Sequence, residues 1–504
     1  MSESGDLAAK QHAVTTLASV DIDPRAERSL VRKFDFTLLP ILAIMYLFNS
    51  LDKSNLGNAK TAGLEGREIP GRSNPRRVPN GHLRIDTLHL NGNQYNLILS
   101  IFFVPYVLTA PFLGLLGKKF GPNRVLPGMM LTFGTCTILV VATFNFSGLF
   151  AIRWFLGMAE SAFFPLVIYY LTTFYRRGEL ARRLAIFYAA QSIASAFSGL
   201  LAFGVFQIHS GPLASWRYLF LIEGGGTVLF AVFAWWFLPM SSAKAQFLSP
   251  EEKELACLRL QIDSSAVVDE KLNIRDGFRI FQHGTSWAIV AIQICLGVPL
   301  QGVQLFLPVI VGRLGYSTVK TNLYTVAPNV SGAVVLLLLA FCSDWTRWRF
   351  PFIALGFLFT FIGFVIYAAI DVEKELSVAY FACFMMTWGT SAPSVLLDTW
   401  YNNNIAGESR RVVLTSIAVP IANLMGVVSS NIFRSQDAPK YFPALITTAA
   451  FGGTGILFTL CLGAWMMLDN RKRDREQGIH LKAKDIPTEY LQMGPASPDF
   501  RWFY

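Results

Sequence analysis

The chain has 504 residues, of which 53% are hydrophobic and only 15% charged, with a formal net charge of +10. A soluble globular protein of this length does not need that much apolar side chain, so the composition places the chain in a membrane. Nucleic acid is excluded as a partner, because the basic excess is spread over the flanks of many apolar runs rather than gathered into one patch.

Residues 1–33 hold no positively charged head followed by an apolar stretch and a small-residue cleavage site, so no cleavable signal peptide is read and the first span serves as its own insertion signal. Apolar runs of about 20 residues, each enough to cross roughly 30 Å of hydrocarbon, are predicted near 36–56, 94–117, 125–145, 148–174, 184–208 and 217–238. They resume near 287–311, 322–342, 350–370, 378–400, 412–433 and 442–468, which makes twelve spans. Lipid offers no partner to an exposed backbone N–H or C=O, so unbroken runs of this length must be helices rather than barrel strands. The expected organisation is an N-terminal tail (1–33), a six-helix bundle (34–239), a polar linker (240–285), a second six-helix bundle (286–469) and a C-terminal tail (470–504).

Basic residues gather at alternate ends of the spans: Arg25, Arg28, Arg32 and Lys33 before the first, Lys118, Lys119 and Arg124 after the second, and Arg176, Arg177, Arg182 and Arg183 after the fourth. The linker and the tail after the last span are basic too. With twelve alternating spans these all fall on one side, so both termini are expected in the cytoplasm. One connection departs from the rule. Gly66–Asp86 carries five arginines and three prolines on the predicted outer side, with no apolar periodicity. It reads as a surface insertion or a gene-model artefact.

Ionisable groups within spans are costly and usually mark an ion or substrate pathway. Asp52 and Lys53 lie in the first span, Arg153 and Glu160 in the fourth. Arg153 and Glu160 are seven residues apart, so they share one helical face about 10 Å apart. Burial favours the neutral form of a carboxylate and a nearby cation the ionised form, so Glu160 can load a proton on one side and release it on the other; the competing reading is a fixed interhelical salt bridge. Asp52 and Lys53 point about 100° apart. Lys53 is read either as the counter-charge of an anion, with Asp52 a second protonatable group, or as a side chain snorkelling to the interface while Asp52 caps the end of the span.

The six cysteines are scattered, with no metal-ligand spacing and no disulfide framework. No phosphate-binding G-x-x-x-x-G-K-[ST] loop exists, and no nucleophile, metal cluster or cofactor motif suggests an enzyme. No cofactor is expected.

Two cytoplasmic turns echo one another: Gly114 to Arg124 after the second span, and Cys342 to Arg349 after the eighth. They resemble the signature of the major facilitator superfamily, with Lys118 at its first acidic position and Ala340 and Arg347 where glycines are expected; a plain positive-inside turn would look similar. The segment Asp52 to Ala59, the Trp216-Arg217 to Glu223-Gly224 stretch, Trp400 to Asn403 running into Gly407 to Arg411, and the Arg153/Glu160 pair together resemble the anion:cation symporter family, in its fungal allantoate, pantothenate and nicotinate permease branch. The resemblance covers about 34–470 outside the 66–86 insertion.

That resemblance implies an all-α major facilitator fold of twelve transmembrane helices in two pseudo-symmetric six-helix bundles, acting as a monomer in the plasma membrane and taking up a small organic anion with protons by alternating access. Export of a carboxylated metabolite is the alternative. It implies Glu160 and Asp52 as proton-coupling groups, Arg153, Lys53, Gln191, Asn423 and Tyr106 as substrate contacts, and Lys119, Gly121, Arg124 and Asp344 as gating residues. Gln301 and Gln304 are further mid-span amides, and for Gln191, Asn423 and Tyr106 helix-to-helix hydrogen bonding is a nearly equal reading. Glu223 is expected to pair with Arg217 near the outer face, and Asp398 to lie at the cytoplasmic end of the tenth span in a gating or surface role.

Overall fold

The chain enters its first helix at Pro24, where the Asp23 side chain accepts a hydrogen bond from Arg25 N at 2.9 Å and proline supplies the backbone angle of a first helical residue. The computed structural model describes residues 23–64, 88, 90, 93–175, 177–208, 213–265, 274–346, 348–405, 408–478, 495, 497, 498 and 500–504. The 66–86 insertion and most of the N-terminal tail lie outside the described residues.

The helices are α1 (Pro24–Thr61), α2 (Gln94–Phe120), α3 (Pro122–Val140), α4 (Phe146–Glu160), α5 (Phe163–Thr172), α6 (Arg177–Val205), α7 (Ser215–Phe237), α8 (Pro250–Ser265), α9 (Ile274–Phe278), α10 (Gly284–Gly312), α11 (Thr318–Tyr324), α12 (Val326–Thr346), α13 (Phe350–Ala369), α14 (Leu376–Asn404), α15 (Glu408–Ile432) and α16 (Phe442–Gln477). No strand occurs among the described residues. Each predicted span coincides with helix. Two are broken, the fourth into α4 and α5 and the eighth into α11 and α12. Proline explains both breaks: Pro165 and Pro328 have no N–H to offer the carbonyls of Ser161 and Tyr324 four residues back.

Nine helical segments among the described residues are long and apolar enough to cross a membrane. The predicted spans matching α3, α6 and α14 are more polar, because α3 opens on Asn123 and Arg124, α6 on a charged first turn, and α14 carries Thr387, Thr390, Ser391 and Ser394. Large apolar side chains such as Leu115, Leu229, Trp236, Phe341 and Leu468 stand exposed on the outside of the assembly. That surface suits lipid, not water.

The two halves meet where α1 packs on α10, α2 on α15, and α6 on α11 and α12. The closest approaches lie at the end opposite the linker. A Cβ on Gly57 would come within 2.5 Å of the Leu305 carbonyl oxygen, and one on Gly426 would collide with the Phe103 ring, so glycine is what lets these pairs touch. Hydrogen bonds reinforce the same end. Asn96 donates to the Phe433 carbonyl at 2.9 Å, Asn431 donates to Ser100 Oγ at 2.7 Å, and Asn322 and Thr318 donate to the Thr61 hydroxyl and carbonyl.

At the linker end, Arg259 of α8 pairs with Glu27 at 2.9 Å and Lys33 with Glu252 at 2.5 Å, which fixes the linker helix to α1. The C-terminal residues also fold back there. Asn470 of α16 donates to the Trp502 carbonyl and accepts from its N–H, and Asn404 of α14 does the same for Phe503. Arg501, 1% exposed, pairs with Asp474 at 2.7 Å.

Candidate functional site

The break after Glu160 is where the site begins. Glu160 is the last residue of α4 and is 0% exposed, and neither of its carboxylate oxygens accepts a hydrogen bond. Asn49 of α1 approaches it, yet Asn49 Nδ2 completes no hydrogen bond either. The charged groups acting on Glu160 are Lys53 and Asp52 of α1 and Arg153, two turns earlier on α4. No direct salt bridge fixes Glu160 among the described residues.

Asp52 is 1% exposed, and its Oδ1 accepts from Thr137 Oγ1 of α3 at 2.5 Å while Oδ2 is buried without a partner. Arg153, 3% exposed, reaches the same residue through its backbone: Nη1 donates to the Asp52 carbonyl at 3.4 Å, and Nε is unpartnered. Buried polar groups are nearly always satisfied, so this cluster of buried polar atoms without protein partners is a candidate site. Lys53 takes the other face of α1, with Nζ 4.9 Å from the centroid of Tyr106. A ring beneath an ammonium attracts it through the quadrupole of its face.

Gln191 of α6 accepts from Tyr46 at 3.1 Å, and Tyr46 stacks on Phe187 at 4.4 Å. Gln191, Ser195, Gln304, Asn329, Thr390 and Ser394 help line a cavity between the halves with about 50 Å³ open, room for a few waters. Gln304 Nε2 is buried there with no partner. Asn423 is placed differently: it accepts from Gln301 at 3.2 Å and donates to the Val419 carbonyl, all within the C-terminal half. Asp52, Lys53, Arg153, Glu160 and Tyr106 are thus brought together, Gln191 is linked to them through Tyr46, and Asn423 stands apart.

The expected gating residues sit at helix ends on the linker side, Lys119 in α2, Arg124 in α3, Asp344 in α12, and Gly121 between α2 and α3. Gly121 adopts φ 89°, the left-handed region that favours glycine, between α2 and α3. Lys119 lies 5.5 Å from the Phe120 ring, Arg124 is exposed, and Asp344 pairs with Arg349 at 2.5 Å.

One expectation is corrected. Glu223 does not pair with Arg217. Arg217 donates to the Val141 and Thr143 carbonyls at 2.7 and 3.0 Å, because α3 ends beside it with bare carbonyls, while Glu223 is 2% exposed with both oxygens unpartnered. Asp398 lies near the end of α14 as expected, is half-buried and accepts from Gln293 of α10 at 2.8 Å. Thr137 was not singled out by the sequence at all; a threonine in an apolar span carries no signal until its partner is known.

A family model described as the Major Facilitator Superfamily matches residues 42–430. An uncharacterized transporter of Schizosaccharomyces pombe is 51% identical over 482 residues, covering 96% of this chain and 91% of that protein. The high-affinity nicotinic acid transporter of Saccharomyces cerevisiae is 28% identical over 509 residues, covering 100% and 90%. Among solved structures, a bacterial homologue of the human lysosomal transporter Spinster, inward-facing and unoccupied, superposes with a TM-score of 0.63 at 13% identity, covering 88% of this chain and 98% of that one. The chain is a multi-pass membrane transporter, not an enzyme, and belongs to the Major Facilitator Superfamily.

Proposed function

We propose that this transporter takes up a small organic anion such as nicotinate, pantothenate or allantoate together with protons, as a member of the fungal allantoate, pantothenate and nicotinate permease branch of the anion:cation symporters. The likeness to the nicotinic acid transporter supports a carboxylate substrate. The observation that carries proton coupling is Glu160, a fully buried carboxylate with no hydrogen bond, placed at a helix break among Lys53, Asp52 and Arg153. A carboxylate so placed is stabilised either by a proton or by a cation, and an arriving anion competes for the cation. Lys53 and Arg153 grip the anion, Tyr106 walls the site, Gln191 and Asn423 add polar contacts from the two halves, and Glu160 and Asp52 carry protons.

The units 34–239 and 286–469 rock about this site on the linker 240–285, with Lys119, Gly121, Arg124 and Asp344 at the moving cytoplasmic turns. Hydrogen bonds between the halves at the end opposite the linker support this, since a gate made of polar and glycine contacts can part without exposing a large apolar face. With both termini cytoplasmic in the plasma membrane, that closed end is the outer one. The protein works as a monomer.

Expression in a yeast lacking its own permeases, followed by uptake of each acid, identifies the substrate. Glu160→Gln is expected to abolish proton-driven accumulation while retaining counterflow exchange. Normal accumulation by that variant would sink the assignment.

A further inference from the structure

The cavity between the halves carries chemistry that the charged cluster does not use. Its walls come from both units: Gln191 and Ser195 of α6 on one side, Gln304 of α10, Asn329 of α12, and Thr390 and Ser394 of α14 on the other. Among the described residues lining it none is ionisable. Asp52, Lys53, Arg153 and Glu160 stand instead on α1 and α4 of the N-terminal half. Tyr46 joins the two regions, since it donates to Gln191 at 3.1 Å and lies two turns before Lys53 on the same face of α1. An anion held at Lys53 therefore turns its remaining part towards a wall of amides and hydroxyls. That part is uncharged, because a second charge would lose its water there and gain no counter-ion.

The hydrogen bonds already made decide what the wall still offers. Thr390 Oγ1 donates to the Met386 carbonyl at 3.1 Å, Ser394 Oγ to the Ser391 carbonyl at 2.7 Å, and Ser195 Oγ to the Gln191 carbonyl at 3.2 Å. A hydroxyl has one hydrogen, and each of these is spent on a carbonyl of its own helix, so the oxygens keep only lone pairs for the cavity. Gln304 is the opposite case. Its Nε2 is buried without a partner and has hydrogens to give. The ring of nicotinate has an acceptor nitrogen and no N–H or O–H, so it would leave the hydroxyl oxygens unmet. An amide or ureido group carries a C=O and an N–H side by side and meets both kinds of partner.

We propose that the transported anion is a carboxylate bearing an amide or ureido group, whose C=O accepts from Gln304 Nε2 and whose N–H donates to the hydroxyl oxygens of Thr390 and Ser394. The proposal rests on the organic-anion reading above and narrows it. Among the acids named there it selects pantothenate and allantoate over nicotinate, and it makes Gln304 and Thr390 specificity-determining residues in the C-terminal half. A site built to hydrogen-bond a substrate group rejects the analogue that lacks it, because the site's own buried polar atoms are then left unpaired.

The test is initial uptake of labelled pantothenate, allantoate and nicotinate, each also offered as a competitor of the others, by the full-length protein in a yeast lacking its own permeases and at matched surface expression. The wild type is expected to take up pantothenate or allantoate with a KM at least about tenfold below the KM or inhibition constant of nicotinate. Thr390→Val keeps the shape and loses the acceptor, and Gln304→Leu loses the donor. Each is expected to raise the KM for the preferred acid about tenfold and to move the constant for nicotinate by less than about twofold. Thr390→Ser, which keeps the oxygen, should restore the wild-type KM. A wild-type preference for nicotinate, or no preference, overturns the proposal and leaves the organic-anion reading standing. Thr390→Val and Gln304→Leu constants that are unchanged, or raised equally for all three acids, make these residues helix-packing groups and overturn it as well. Uptake of none of the three acids overturns the organic-anion reading itself, and the proposal with it.

Discussion

Arg153 bonds the main chain of Asp52 and not its carboxylate: Nη1 donates to the Asp52 carbonyl at 3.4 Å, while the carboxylate is held by Thr137 at 2.5 Å. The guanidinium is thereby anchored to α1 at one corner and leaves its unpartnered Nε and its charge to others. A fork of fixed donors can do this; a single ammonium cannot.

Arg153→Lys keeps the charge and loses the fork. It is expected to reach the membrane in normal amount and to transport at least about tenfold more slowly, the loss of one charge-assisted hydrogen bond. Initial uptake rates at matched surface expression check this, and an unchanged rate would mean that only the charge at this position matters.

The contact of Gly57 with the Leu305 carbonyl oxygen bears on gating. An added methyl would meet backbone, which cannot swing aside as a side chain can. Gly57→Ala is therefore expected to hold the halves apart at the end opposite the linker and to arrest transport. A cysteine placed at Ser430, 0% exposed in the closed end, should become reactive to a membrane-impermeant thiol reagent in the Gly57→Ala background and stay protected without it.

The folded-back C-terminus is expected to contribute stability. Asn470→Ala removes a donor and an acceptor that together satisfy both backbone groups of Trp502, with a cost of about 2 kcal/mol. Thermal unfolding of the detergent-solubilised protein measures it. In a chain ending at Gln477 the same substitution should cost almost nothing, because its partner is already gone.

The membrane class, the helical spans and the charges within them, Asp52, Lys53, Arg153 and Glu160, were legible in the sequence, because each is decided by one residue's transfer from water to hydrocarbon. Apolar runs must be helical, and a charge inside one must have a purpose. The two helix breaks at Pro165 and Pro328 were not legible in the same way, since Pro105 and Pro299 sit inside unbroken helices.

Partnership was a different matter. Thr137 and Asp52 are 85 residues apart, Arg153 and Asp52 101, and Asn470 and Trp502 32, and no local pattern couples them. Glu223 looked like a rim residue beside Arg217 because the two are close in sequence, and only the tertiary structure showed Arg217 occupied by the Val141 and Thr143 carbonyls and Glu223 buried with neither oxygen hydrogen-bonded. What a residue costs to bury is written in its own chemistry, so the sequence determined where the expensive groups are; which of them share a counter-charge depends on how separate helices pack, and only the tertiary structure could decide that.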